Sequence, residues 1–303
     1  MFRAIASRYL PSHSHAINSG WLALAALCLS WLAPAAMQAQ TSNNSETLSP
    51  VTTSYGNMAV DSNGNIYFPA GPSVFEAMLS GGTYTLSTII TGLYPYPPLG
   101  GPSDGVPGTV ALDGNGNIYV TSDGYGIFKV APTGSGYSGT KLSGLSAVLS
   151  IAADSSGNLY IATIDGSLTK ETLSGSGYIP TTIDSGFSAA FGLTVDSSDN
   201  IYVADTGAGN VYKETLLGGS YTRSSIDTGL NEPYGVAVDT SGNVYVSDVG
   251  SGIVYEGTSS GTAYTWNTLL TGLTDPIGVG VDGSGNIYVN EGYPASQVLK
   301  VTP

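Results

Sequence analysis

Carboxylates are the chain's main chemical resource. Asp123, Asp165, Asp205, Asp248 and Glu291 each follow a short apolar run, 40 to 43 residues from the next. Oxygen ligands of this type suit a hard divalent cation, calcium above all, and carboxyl groups also serve as general acids and bases. Other reactive groups are scarce. The one cysteine is Cys28 and the two histidines are His13 and His15. Without that leading segment the chain has neither thiol nor imidazole. A Ser-His-Asp or Cys-His nucleophile is then excluded, as is a His/Cys zinc site. No catalytic residue is assigned.

The leading segment reads as a signal for export. Arg3 and Arg8 precede an apolar run from Trp21 to Ala33, and no acid occurs before Glu46. Thirteen residues are too few to span a bilayer comfortably, and Pro34-Ala-Ala-Met-Gln-Ala39 has the small residues of a cleavage site. The expectation is a signal peptide over residues 1–39, a single domain over 40–303, and a secreted or periplasmic location without membrane insertion. An exported chain without cysteine pairs must be held by its core.

The 22 acids face only Lys129, Lys141, Lys170, Lys213, Lys300 and Arg223 beyond that segment. Nucleic acid, which needs a basic footprint, is excluded as a partner. A cationic ligand or divalent cations are compatible with the charge. The expected partner is a protein, peptide or carbohydrate, and the expected state is a monomer.

The acids are placed by a repeat. Asp-x-x-(Gly/Asp)-Asn-x-Tyr starts at Asp61, Asp113, Asp154, Asp196, Asp239 and Asp282, at spacings of 52, 41, 42, 43 and 43. In the fifth copy Tyr234–Asp239 reads as an innermost strand, Thr240–Asn243 as a tight turn and Val244–Asp248 as a second strand. A third strand, a Gly/Ser turn and an outer strand from Tyr264 follow. The second strands are apolar on both faces, as in blades packed on two sides. Tyr84, Tyr137, Tyr178, Tyr221 and Tyr264 open the outer strands in phase with the motif. This predicts an all-β, six-bladed β-propeller of four-stranded antiparallel blades. The sixth repeat lacks an outer strand, so the N-terminal strand around Glu46–Val51 is expected to complete the last blade.

The run Asn200–Tyr212, preceded by Gly192–Asp196, resembles an NHL repeat, and Asn231–Asp248 is similarly close. The resemblance covers residues 40–303. It implies a platform shared by binding modules, sensor domains and lyases, with gluconolactonase-like propellers as relatives. Those relatives hold a divalent cation in the central channel, for which Asp248, Asn290 and Glu291 are the candidates here.

Three patterns are weighed against scaffold roles. The Asp-x-x-Gly-Asn turns lack the distal bidentate acid of a calcium loop and read as structural turns. Gly134–Gly139 matches a dinucleotide fingerprint but precedes a strand, which argues against a phosphate site. Asp123, Asp205 and Asp248 read mainly as caps of their own turns, whereas Glu291 breaks the pattern. The insertion Tyr94–Pro107, rich in Tyr and Pro, is expected to overhang the same face. The candidate binding residues are therefore Tyr94, Tyr96, Asp104, Glu232, Tyr234, Asp275, Glu291 and Tyr293. The first reading is a binding module, and the alternative is a cation-dependent hydrolase or lyase.

Overall fold

A computed structural model describes residues 36–37, 39–42, 45–48, 56–70, 73–92, 107–122, 126–142, 147–261, 263–292 and 294–302. The leading segment to residue 35, most of the Tyr/Pro insertion, Asp104, Asp123 and Tyr293 lie outside the described residues. The described chain is all-β and forms six antiparallel sheets arranged as blades. The innermost strands are Ala59–Val60, Pro107–Leu112, Val148–Ala153, Ala190–Val195, Pro233–Val238 and Pro276–Val281. Each lies against the next around the axis, and Pro276–Val281 meets Ala59–Val60. Ser45–Leu48 runs antiparallel to Gln297–Val301, with Leu48 opposite Val298. Two sheets carry a short fifth strand at the outer edge, Ala36–Met37 in the first and Ala39–Ser42 in the last.

The repeated motif builds each blade's inner hairpin. In the last copy Asp282 Oδ1 accepts the Ser284 and Asn286 backbone N–H groups, both at 2.9 Å. Its Oδ2 accepts Asn286 Nδ2 at 2.7 Å and the Tyr288 hydroxyl at 2.9 Å. The same four bonds recur at Asp113, Asp154, Asp196 and Asp239. The motif acid is therefore a turn staple. In the first copy Tyr67 turns instead to Glu76, at 2.9 Å. The motif glycine takes φ from +75° to +84°. Asp199 fills that position at φ +61°, a conformation Asp tolerates better than most residues, and pairs with Lys170 at 3.4 Å.

The two tyrosine markers meet between blades. Tyr84 donates to Tyr288 at 3.1 Å, and Tyr178 lies 3.4 Å from Tyr119. Each motif tyrosine also faces the third strand of its own sheet. There Lys129, Lys170, Lys213 and Lys300 sit over the rings of Tyr119, Tyr160, Tyr202 and Tyr288, 4.9 to 5.6 Å from their centroids. Cross-strand register makes these pairs neighbours. Four of the few cations are thus committed to the scaffold, each contact contributing about 0.5–2 kcal/mol.

One core position is occupied by acids. Glu214 is 1% exposed and receives Arg223 Nε at 2.9 Å. Glu171 holds the equivalent place in the preceding blade at 6% exposure, with Pro180 opposite it where Arg223 stands opposite Glu214. Among the described residues no hydrogen bond or ion pair reaches the Glu171 carboxyl, and burial pushes it above the usual range. A raised folded-state value favours the native state when the group is protonated and costs stability as pH rises through that value. Glu171→Gln is therefore expected to stabilise the protein at pH 7 by about 1 kcal/mol, an advantage that shrinks toward pH 4. Urea denaturation of both proteins at the two pH values checks this.

Candidate functional site

The loops joining second to third strands, and one blade to the next, share one end of the ring, called here the loop face. The six motif turns occupy the opposite end, the turn face. Acids at the ends of second strands hold the loop face together. Asp205 accepts the backbone N–H groups of Ser188 at 2.9 Å and Ala189 at 2.8 Å. Asp248 accepts Asn231 N at 3.0 Å and the Ser251 hydroxyl at 2.9 Å. Glu291 accepts Thr274 N at 2.8 Å and also takes Gln297 Nε2. All three are almost fully buried. Glu291 breaks the sequence pattern yet does the same job with one more methylene. Asn290 is equally buried and donates to the Gly56 carbonyl at 2.8 Å, joining the last blade to the first. The candidate metal trio of Asp248, Asn290 and Glu291 is thus engaged with backbone and side-chain partners. Asp165 lies exposed and caps its own turn through Thr163 and Ser167.

Glu232, Tyr234 and Asp275 do gather with Glu291. Asp275 is half-buried, and its carboxyl is pushed up to about 6, first by burial and then by the charges of Glu291 and Glu232. Tyr234 is raised to about 12 by burial, then by Asp275. Glu232 enters the innermost strand at φ +73°. Asp275 packs against the Cα of Gly292, whose N–H bonds to the Asp275 carbonyl at 2.8 Å.

An aromatic pair adjoins these acids. The Phe191 and Tyr234 rings are stacked at 4.8 Å between centroids, with 6° between planes. Both residues sit at register shifts of the innermost strands, between Ala190 and Gly192 and between Pro233 and Gly235. A bulge frees one residue from the ladder and re-aims its side chain. The following glycine is required by proximity, since a Cβ at Gly192 would collide with the Tyr234 carbonyl. Phe191 was not among the residues singled out from sequence. Its signal is the alignment of Ala190-Phe191-Gly192 with Pro233-Tyr234-Gly235.

The axial channel differs in character from the loop face. It is lined by Val, Ala, Leu, Ile and Gly with Met58, Asn57 and Thr194, and among the described residues no Asp or Glu contributes to its wall. Among the described residues no group of three or more Asp, Glu, His or Cys is placed to hold a metal ion.

Solved structures share this architecture. A gluconolactonase from Xanthomonas campestris superposes with TM-score 0.65 at 12% identity, over 90% of this chain and 98% of that one. Virginiamycin B lyase from Staphylococcus aureus gives 0.59 at 16% identity, over 88% and 94%. A catalytically inactive histidine-to-alanine variant of that lyase with quinupristin gives 0.56 at 16%, over 90% and 97%. At these identities the likeness is one of fold. No protein-family model matches the chain, and no curated protein matches it by sequence.

Proposed function

We propose that this is an exported, NHL-type propeller that acts as a binding module, with its loop face receiving a basic segment of a protein or peptide. The observation that carries the reading is the stacked Phe191–Tyr234 pair beside Glu232, Asp275 and Glu291. Aromatic rings lose little conformational entropy on contact and attract cations over their faces. The neighbouring carboxylates supply charge that Lys129, Lys170, Lys213 and Lys300, drawn to tyrosine rings, do not offset. The Tyr94, Tyr96, Asp104 and Tyr293 candidates would extend the same surface.

The probe is a fluorescein-labelled oligolysine, followed by anisotropy. Binding is expected to strengthen from pH 5 to pH 7, because Asp275 ionises near pH 6 and a cation prefers the ionised form. Tyr234→Ala and Asp275→Asn should each weaken binding about fivefold to tenfold with the fold intact, and Asp275→Asn should flatten the pH profile. Equal affinity in both variants would contradict the reading.

The second reading is a hydrolase or lyase, prompted by the enzymes that share the fold. The lyase comparison includes a variant inactivated by loss of a histidine, whereas the histidines here are confined to His13 and His15. That difference weighs toward the module.

A further inference from the structure

The opposite end of the axis carries a second feature, independent of the loop-face reading. A cavity of about 220 Å³ lies on the axis, with Val60, Leu112, Ala153, Val195, Val238 and Val281 in its wall. These are the last residues of the six innermost strands, so the cavity reaches the turn face. At the loop-face end its lining excludes Phe191 and Tyr234. Among the described residues no titratable residue lines it, and Asn57 and Thr194 are the residues of the lining with polar side chains. Every innermost strand is bonded to another strand of its sheet along one edge only. The free edges face the axis, and their N–H and C=O groups need partners when withdrawn from bulk water.

These features restrict the occupant. An ion would give up hydration with no counter-charge in the wall. An apolar molecule would leave the strand edges unsatisfied. The motif acids just beyond are saturated by their own turns. The exposed turn residues that rim the face are rich in hydroxyls, among them Ser62, Ser155, Ser198, Ser241 and Ser284, and the charge of Asp199 in the fourth turn is met by Lys170. At roughly 30 Å³ per water the cavity offers the space of about seven waters, enough for a polyol of three to five carbons.

We propose that the turn-face end of the axial channel binds a small uncharged polyol, held by the innermost strand edges and Thr194. The test is saturation-transfer NMR on the purified protein, with glycerol, erythritol and xylitol as probes. Saturable transfer to at least one of them is expected in the millimolar range. Val238→Phe, which fills the channel, should abolish it. Thr194→Val, which removes a hydroxyl at similar volume, should weaken it about tenfold, and this variant decides the matter if the larger substitution unfolds the protein. Absence of transfer to all three polyols overturns the proposal and leaves a channel of water. Transfer that persists in a folded Val238→Phe protein, or is undiminished in Thr194→Val, overturns it too by placing the ligand elsewhere.

Discussion

Arg223→Met is expected to destabilise the protein by about 3–5 kcal/mol, a fall in melting temperature of roughly 10 °C. Arg223 binds Glu214 at 2.9 Å and Asp184 at 2.8 Å, donates to the Ser185 carbonyl at 3.0 Å, and lies 3.8 Å over the Phe187 ring. Glu214 is 1% exposed, and its carboxyl is already raised by burial, against which the hydrogen bond from Arg223 works. Removing the guanidinium strands a buried carboxylate, and that uncompensated charge is the main cost. The double variant Arg223→Met/Glu214→Leu should therefore recover most of the loss, because a buried pair exchanged for apolar groups is often neutral. Thermal denaturation of the three proteins separates the explanations. If the double variant is no more stable than the single one, stacking on Phe187 and the bond to Ser185 dominate instead.

The second large effect is expected at the motif acid. Asp282→Ala removes the acceptor for four donors and should cost about 3–4 kcal/mol, allowing for water reaching the outer part of the turn. The site also joins two blades. Gly64, in the first blade's turn, packs on the Asp282 carboxylate and the Tyr288 hydroxyl, and Tyr288 bonds to Tyr84. Burial raises the Asp282 carboxyl, but bonds from Asn286, Tyr288 and Ser284 outweigh it and hold it below the usual range. A depressed folded-state value means that this stability is present above the unfolded-state value and is lost as pH falls through the folded one. The deficit of Asp282→Ala should thus be full at pH 7 and narrow below about pH 4. Asp165→Ala, at an exposed turn, serves as the control and should change stability little in urea denaturation.

Much of the scaffold was legible because it repeats. A six-membered ring needs six similar wedges, so the Asp-x-x-Gly-Asn-x-Tyr turn and the strand it starts recur at a near-constant interval. The in-phase outer-strand tyrosines were visible too, but their purpose was not. Tyr178 and Tyr119 are 59 residues apart and meet only when blades pack. The lysines over motif tyrosines depend on hairpin register, which one residue of slip would have reversed. The site was legible only in part. Tyr234, Glu232 and Asp275 come together with Glu291, whereas Phe191 joins them through a bulge whose one sequence trace is its alignment with Tyr234 in the next repeat. Glu291 looked exceptional because its type differs. The register places it opposite Pro276, where Asp248 faces Pro233, and its carboxylate reaches the same kind of backbone donor.

Repeated acids staple the scaffold. On the function proposed above, the loop face receives a basic partner without a resident metal. The enzyme alternative needs a divalent cation held by oxygen ligands, and such a cation, bound by the native state alone, must raise its stability. The direct measurement is the melting temperature of residues 40–303 in calcium and in chelator at equal ionic strength. A binding module without a resident cation is expected to melt at the same temperature in both. A saturable rise of several degrees with calcium would contradict it.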